Sequence, residues 1–285
     1  VTVIGSVPAV VAAAVAGRVA HRTGVSDGTT AALVGGLVVA VDGLLLHRLV
    51  AADEQTVGLV LVPLAVVTLA RLIETGRLRW VVVTGTLVLA VPPTHNLDSV
   101  VLGLAGVIWL AATPRRETAA LAVTSWIALG GYTLGVRWLT PSVVVQTERL
   151  TSVVGLLFAW VIAAVAVVRW VRSWRPRARG VAVGGILAVP FGLVAVNAAK
   201  PVFPGTPTTT PLLVGTLGLL VVPSMAAAVG TTLRRGGAVV TGLVALSGAV
   251  AVVVGVSLTA GLTPVYLETA YRVQTFAHLP WGVAV

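Results

Sequence analysis

The segment GAVVTGLVALSGAVAVVVGVSLT, residues 237–259, carries no ionisable side chain over 23 consecutive positions. A helix of this length measures about 35 Å, which exceeds the roughly 30 Å thickness of a bilayer's hydrocarbon core. Arg234 and Arg235 lie just before it, where a span would meet the membrane surface. The segment therefore predicts a transmembrane helix.

The same pattern recurs along the whole chain. With 57% hydrophobic and 10% charged residues, the composition excludes an ordinary soluble domain, whose charged share is near a quarter. We predict an all-α, polytopic helical membrane protein with about 10–11 transmembrane helices. The nine other apolar stretches are residues 1–17, 29–46, 56–72, 80–91, 97–112, 118–136, 151–168, 181–198 and 211–231.

We expect residues 1–285 to form a single transmembrane helical domain with no soluble domain. Val1 begins inside an apolar stretch, and residues 279–285 resemble the start of an eleventh span that stops too early, so we expect truncation at both ends. The chain has no cysteine, which excludes disulfide bonds, thiolate metal sites and cysteine nucleophiles.

Basic residues are distributed unequally between the connections. Of 19 basic residues, 14 lie in every second connection and 5 in the others. The positive-inside rule places the richer set in the cytoplasm, so we expect a protein integral to the cell membrane whose carboxylates and histidines mostly face the extracytoplasmic side. These clusters adjoin apolar spans, and we expect membrane lipid and no nucleic acid as their partner. The richer set is Arg18, Arg22, Arg71, Arg77, Arg79, Arg115, Arg116, Arg169, Arg172, Arg175, Arg177, Arg179, Arg234 and Arg235.

Tryptophan and proline positions refine the spans. Trp126 and Trp160 lie in mid-span, and we expect them to pack between helices. The stretch 80–91 is short for a span, so it either continues through Thr94 with a proline kink or lies tilted in a thinned or protein-lined region. The other tryptophans lie near span ends and predict an aromatic belt: Trp80, Trp109, Trp138, Trp170, Trp174 and Trp281.

Two adjacent carboxylates, Asp53 and Glu54, lie in the outer connection HRLVAADEQ, residues 47–55. Such a pair could bind a divalent cation or accept a hydroxyl proton, and Arg48 could balance a phosphate. Capping of the next helix and interaction with its dipole explain the same pair without chemistry. Supporting positions near this connection are Asp42 and His47.

This arrangement resembles the second acidic motif of GT-C glycosyltransferases. Both have a span, a short outer loop with an arginine and an acidic pair, and a second span that ends in a basic loop, here ARLIETGRLRW at residues 70–80. The segment AGRVAHRTGVSDGTTAALVGGL, residues 16–37, also resembles the inner loop and third helix of that fold. The resemblance extends over residues 17–113.

Enzymes of this family are integral to the membrane and take a sugar from a polyprenyl-phosphate donor on the extracytoplasmic face. The resemblance implies that Asp53 or Glu54 occupies the second acidic position, as a catalytic residue or as a ligand of Mg²⁺ or Mn²⁺. The first acidic position lies in an outer loop that would precede Val1. The WWD motif and large soluble domain of oligosaccharyltransferases are missing from this sequence, so that subfamily is not implied.

A second outer segment, PPTHNLD at residues 92–98, places His95 and Asp98 three residues apart. At this spacing the two side chains could share a metal or act as a base and its orienting partner. Capping by Asn96, with Asp98 close to the helix dipole, is the alternative interpretation. We predict His95 as a catalytic residue and Asp98 as its support.

A third segment, YLETAYRVQTFAH at residues 266–278, places Glu268 four residues before Arg272, where the two would pair across one helical turn. GT-C enzymes commonly supply a basic residue from an outer loop of the second half, and an arginine offers a planar fork to phosphate oxygens. The resemblance thus implies that Arg272 binds the donor phosphate, and Arg48, from its place before the acidic pair, is predicted as a second phosphate-binding residue. Glu268 and His278 are predicted as supporting residues.

A transporter or channel and a non-catalytic membrane subunit are the alternative functions. Coupled transporters place ionisable residues near the midplane, whereas the predicted spans hold almost none beyond Asp42. Ionisable side chains at membrane depth are tolerated where they share water or each other. We therefore expect the outer segments after the second, fourth and tenth spans to converge on one polar cavity.

A cysteine introduced at position 94 tests this topology. The native chain has no cysteine, so no other residue would react with a maleimide. We expect a membrane-impermeant maleimide to label Thr94→Cys in intact cells. Thr75→Cys, in an arginine-rich connection, serves as the control and should react only after permeabilisation. Labelling of Thr94→Cys from the cytoplasm alone would overturn the predicted orientation.

Overall fold

The structure, a computed structural model, describes residues 2–23, 27–40, 55–139, 153–172, 237–260 and 263–277, with a few isolated positions between 178 and 280. In these ranges the chain forms nine α-helices, one 3-10 turn and no strand, which confirms the all-α prediction. The helices are α1 Thr2–Thr23, α2 Gly28–Ala40, α3 Gln55–Thr75, α4 Leu78–Thr94, α5 Asn96–Ala112, α6 Arg116–Leu139, α7 Val154–Arg172, α8 Gly237–Thr259 and α9 Pro264–Gln274, followed by the 3-10 turn Thr275–Ala277.

Three of these helices are long and apolar enough to cross a membrane. They are Val57–Thr75 within α3, Arg116–Val136 within α6, and the whole of α8. The bounds of α8 are those predicted from its uncharged sequence. The predicted spans 181–198 and 211–231 fall mostly or wholly outside the described residues.

Small residues along α8 admit the largest side chains of its neighbours. Trp109 of α5 lies against Gly242, where an added Cβ would stand 2.6 Å from the indole ring. Trp160 of α7 lies against Gly255 in the same way, at 2.8 Å. Interiors this dense have no room for even one extra methyl group, so both glycines are required by packing.

The tryptophans fall into two environments. Trp160 also donates a hydrogen bond from Nε1 to Thr259 Oγ1 at 3.1 Å, and Trp126 lies against Gly103, so both pack between helices as predicted. Trp138 is exposed, as a residue of an aromatic belt would be. The prediction for Trp109 is wrong, because the gap over Gly242 takes this indole into the core, where it is fully buried.

Short turns reverse the chain between successive helices. Gly76, with a φ of 62°, makes the turn from α3 to α4. Helix α4 continues through Thr94, the first of the two alternatives for this stretch, with Pro92 and Pro93 in its last turn. Only His95 separates α4 from α5. These reversals bring the start of α3, the α4–α5 junction and the end of α8 to the same end of the bundle.

Helices α6 and α7 expose large apolar side chains. Those on α6 are Ile127 and Leu134, and those on α7 are Phe158 and Ile162. An exposed apolar surface of this kind suits contact with hydrocarbon or another protein better than contact with water. The outer surface of the bundle thus agrees with the three helices that are long enough to span a membrane.

Candidate functional site

His95 lies at the α4–α5 junction in an extended conformation, with φ −164° and ψ 128°. Its backbone N–H donates to Val91 O at 3.2 Å and closes α4. Helix α5 begins at Asn96, and His95 occupies the N-cap without a side-chain capping hydrogen bond. The alternative interpretation of Asn96 as the cap is therefore wrong. The junction instead directs His95 into the protein, where it is buried.

Asp98 lies in the first turn of α5, and its Oδ1 is 3.3 Å from His95 Nδ1. The positive end of the α5 dipole favours a carboxylate at this position. The carboxylate also faces Gly58 of α3, where an added Cβ would overlap Oδ2. A glycine at position 58 is thus what lets Asp98 lie between the two helices.

Arg272 reaches His95 from α9. Its Nη1 lies 3.3 Å from His95 Nε2, across 177 positions of sequence. A guanidinium has donors only, so Nε2 must accept this hydrogen bond. The imidazole is then neutral, and its proton lies on Nδ1, toward Asp98. One chain of side-chain contacts therefore runs from Asp98 through His95 to Arg272.

Glu268 continues this chain toward solvent. Its Oε1 accepts from Arg272 Nη2 at 2.6 Å and from Arg272 Nε at 3.1 Å. Side-chain exposure rises in order along the chain, from 0% for Asp98 and 3% for His95 to 20% for Arg272 and 50% for Glu268. A ligand that arrives from the end of the bundle would meet Glu268 and Arg272 first.

The backbone of Arg272 is held in place by its neighbours. Thr275 Oγ1 donates to Arg272 O at 2.5 Å, and the 3-10 turn follows directly. Val273 and Phe276 on either side of Thr275 are buried in the core cluster. Helix α9 is thus fixed by apolar contacts, and the Arg272 side chain extends from a rigid base.

Four of the predicted site residues are brought together, and six lie outside the described residues. His95, Asp98, Glu268 and Arg272 form one connected group, so the segments after the predicted fourth and tenth spans converge. The sequence analysis does not single out Gly58, although a small residue one turn into α3 is the signal that could have indicated a close approach. The six are Asp42, His47, Arg48, Asp53, Glu54 and His278.

The predicted metal ligands are not part of this group. Within the described ranges, no three His, Asp or Glu side chains are grouped so that they could hold an ion. The predicted ligands Asp53 and Glu54 offer carboxylate oxygens, which suit Mg²⁺ and Mn²⁺. They immediately precede Gln55, the first residue of α3.

A double-mutant cycle tests the contact between Gly58 and Asp98. We expect Gly58→Ala to reduce the free energy of unfolding by about 1–3 kcal/mol, because the new methyl group overlaps the buried carboxylate. In an Asp98→Ala background the methyl group enters vacated space, so the same change should cost less than about 0.5 kcal/mol. Denaturant unfolding in detergent micelles measures both values.

Gly85→Ala is the matched control, since a Cβ at this helical position meets nothing within 4 Å. Its effect should be the same in both backgrounds. Equal costs of Gly58→Ala with and without the Asp98 carboxylate would refute the contact.

No protein-family model matches this chain, and comparisons with curated proteins and with solved structures give no match either. The central feature of the site is the chain of contacts from Asp98 through His95 to Arg272.

Proposed function

We propose that this protein is a membrane glycosyltransferase, or the membrane part of one. It transfers a sugar from a polyprenyl-phosphate donor to an acceptor hydroxyl on the extracytoplasmic face of the cell membrane. The contact of Arg272 with the imidazole of His95 carries the proposal, because it joins a phosphate-binding cation to a candidate base. The resemblance of the Asp53–Glu54 loop to the acidic motif of GT-C enzymes supports it independently.

His95 would act as the general base through Nε2. The acceptor oxygen bonds to the anomeric carbon of the sugar while the bond from that carbon to the phosphate oxygen breaks. The acceptor proton passes to Nε2, and Asp98 stabilises the imidazolium through Nδ1. The electrons of the broken bond stay on the phosphate, which changes from a singly charged diester to a monoester that carries up to two charges.

Arg272 would stabilise this growing charge. A guanidinium binds phosphate oxygens through two parallel N–H groups, and charge-assisted bonds of this kind are strong. Because the phosphate gains charge as the sugar leaves, Arg272 binds the product-like state more strongly than the donor. An interaction that strengthens in this way lowers the barrier to transfer.

The charge distribution supports an outward-facing site. Arg77 directly precedes α4 and Arg79 lies in its first turn. Arg115 directly precedes α6, and Arg116 is its first residue. They are therefore at the end of the bundle opposite His95, and the positive-inside rule assigns that end to the cytoplasm. The polyprenyl chain of a donor in the outer leaflet would lie along the exposed apolar side chains of the bundle.

The observed burial favours an enzyme over a coupled transporter. The buried ionisable side chains in the described ranges are His95 and Asp98, and both lie at a helix end. Transporters commonly bind their coupling ions near the midplane. A non-catalytic subunit would need neither His95 nor Asp98 for turnover. Loss of sugar transfer on substitution of His95 therefore distinguishes the enzyme from such a subunit.

We expect His95→Gln and Arg272→Gln each to slow sugar transfer by at least about 100-fold, the range of a lost general base or phosphate contact. The assay follows release of polyprenyl phosphate in liposomes that contain the full-length protein, with polyprenyl-phosphate-linked hexoses and pentoses offered in turn. Arg116→Gln, at the opposite end of the bundle, should retain the parental rate. Undiminished transfer by His95→Gln would exclude the proposed base.

The acidic pair is tested in the same assay. Asp53→Asn with Glu54→Gln should abolish transfer and leave thermal stability nearly unchanged, because both substitutions keep side-chain volume and much of the capping ability. If the pair only caps α3, transfer should survive and stability should fall by about 1 kcal/mol or less.

A further inference from the structure

We propose that Arg272 forms a latch over the catalytic base. In the closed state, Glu268 holds Arg272 against His95 Nε2, and a phosphate headgroup opens the latch by drawing the guanidinium away. This inference rests on the site of the proposed function and adds how that site is regulated. The base becomes available only when a donor phosphate is present.

Both nitrogens of the His95 ring are engaged in the closed state. Nδ1 faces Asp98 Oδ1 at 3.3 Å, and Nε2 accepts from Arg272 Nη1 at 3.3 Å. A general base needs a free lone pair within reach of the proton that it removes. Nε2 therefore cannot take a proton from an acceptor hydroxyl until Arg272 moves.

Glu268 occupies the position that a phosphate oxygen would take on Arg272. One carboxylate oxygen accepts from both Nη2 and Nε, the edge of the guanidinium that binds an oxyanion. Half of the Glu268 side chain is exposed, and ion pairs at such positions are weak. A phosphate offers more oxygens to the guanidinium than this exposed carboxylate does, so it competes for the same edge.

The opening is a rotation of one side chain and not a movement of α9. Val273 and Phe276 are buried, and the hydroxyl of Thr275 binds the Arg272 carbonyl. The backbone at Arg272 therefore stays in place while the flexible methylene chain swings. Because the donor must bind first to free His95, the latch imposes an order of donor before acceptor.

The latch is tested on the full chain in detergent micelles by ¹⁵N NMR of labelled histidine. The protein has four histidines, and the signal that His95→Gln removes is assigned to His95. We expect farnesyl phosphate to shift the Nε2 resonance of His95 as Arg272 leaves it. Farnesol, which lacks the phosphate, should cause no shift.

Inorganic phosphate identifies the source of the headgroup. A shift with inorganic phosphate at the same concentration supports the latch and shows that the phosphate group is sufficient. A shift with farnesyl phosphate alone supports the latch and assigns it to a lipid-linked phosphate. If farnesyl phosphate produces no shift, whether it binds elsewhere or not at all, the latch is overturned.

Two variants of Arg272 separate opening from misfolding. In Arg272→Gln the guanidinium is gone, so the His95 resonance should start at a different position and should not respond to farnesyl phosphate. Arg272→Lys keeps the positive charge and should retain a response. The other histidine resonances report whether each variant keeps the parental fold.

Glu268→Gln removes the competing carboxylate. Its affinity for farnesyl phosphate should rise about 1.5- to 5-fold, the change that loss of an exposed ion pair allows. Glu117→Gln, in the first turn of α6 at the opposite end of the bundle, is the matched control and should leave the affinity unchanged. Weaker binding by Glu268→Gln would overturn the latch, because Glu268 would then be part of the phosphate site.

The two proposals fail separately. A phosphate-dependent shift at His95 without sugar transfer would leave the latch intact and remove the glycosyltransferase proposal. Sugar transfer without any shift at His95 would remove the latch and leave the glycosyltransferase.

Discussion

The burial of one carboxylate determines the arrangement around the candidate site. Asp98 has no exposed surface, and an ionised carboxylate is costly in such a place unless its neighbours compensate it. The positive end of the α5 dipole and the His95 ring, whose Nδ1 lies 3.3 Å from Asp98 Oδ1, favour the carboxylate here, and Gly58 provides the space. Arg272 adds positive charge beyond His95. Loss of the His95 ring, the Arg272 charge or the space at Gly58 would raise the free-energy cost of burying the Asp98 carboxylate.

Dense packing around α8 holds these partners in position. Trp109 and Trp160 fill the spaces over Gly242 and Gly255, so α5 and α7 approach α8 closely. Val273 and Phe276 join the end of α9 to the same core. The side chains at the end of the bundle therefore extend from rigid backbones, and the movement that we propose is confined to Arg272.

Much of the fold follows from the sequence because a long uncharged segment has few alternatives. A helix satisfies its own backbone hydrogen bonds, which an apolar environment requires, so GAVVTGLVALSGAVAVVVGVSLT predicts α8 with its observed bounds. Regular alternation of spans and arginine-rich connections also predicts which connections share one end of a bundle. This alternation predicts His95 and Arg272 on the same side, and the structure brings them into contact.

Side-chain partners across long sequence separations were decided by the tertiary structure. Spacing within one helix predicts the pair Glu268 and Arg272, but only the packing of α9 against the end of the bundle directs that arginine to His95. The position of Trp109 near a span end predicts a belt residue, but the space over Gly242 lets its indole lie in the core. For the described residues, the sequence by itself determined which segments are helical, because hydrophobic length and charge are local properties. The tertiary structure decided the contacts, because these depend on how closely particular glycines let neighbouring helices approach.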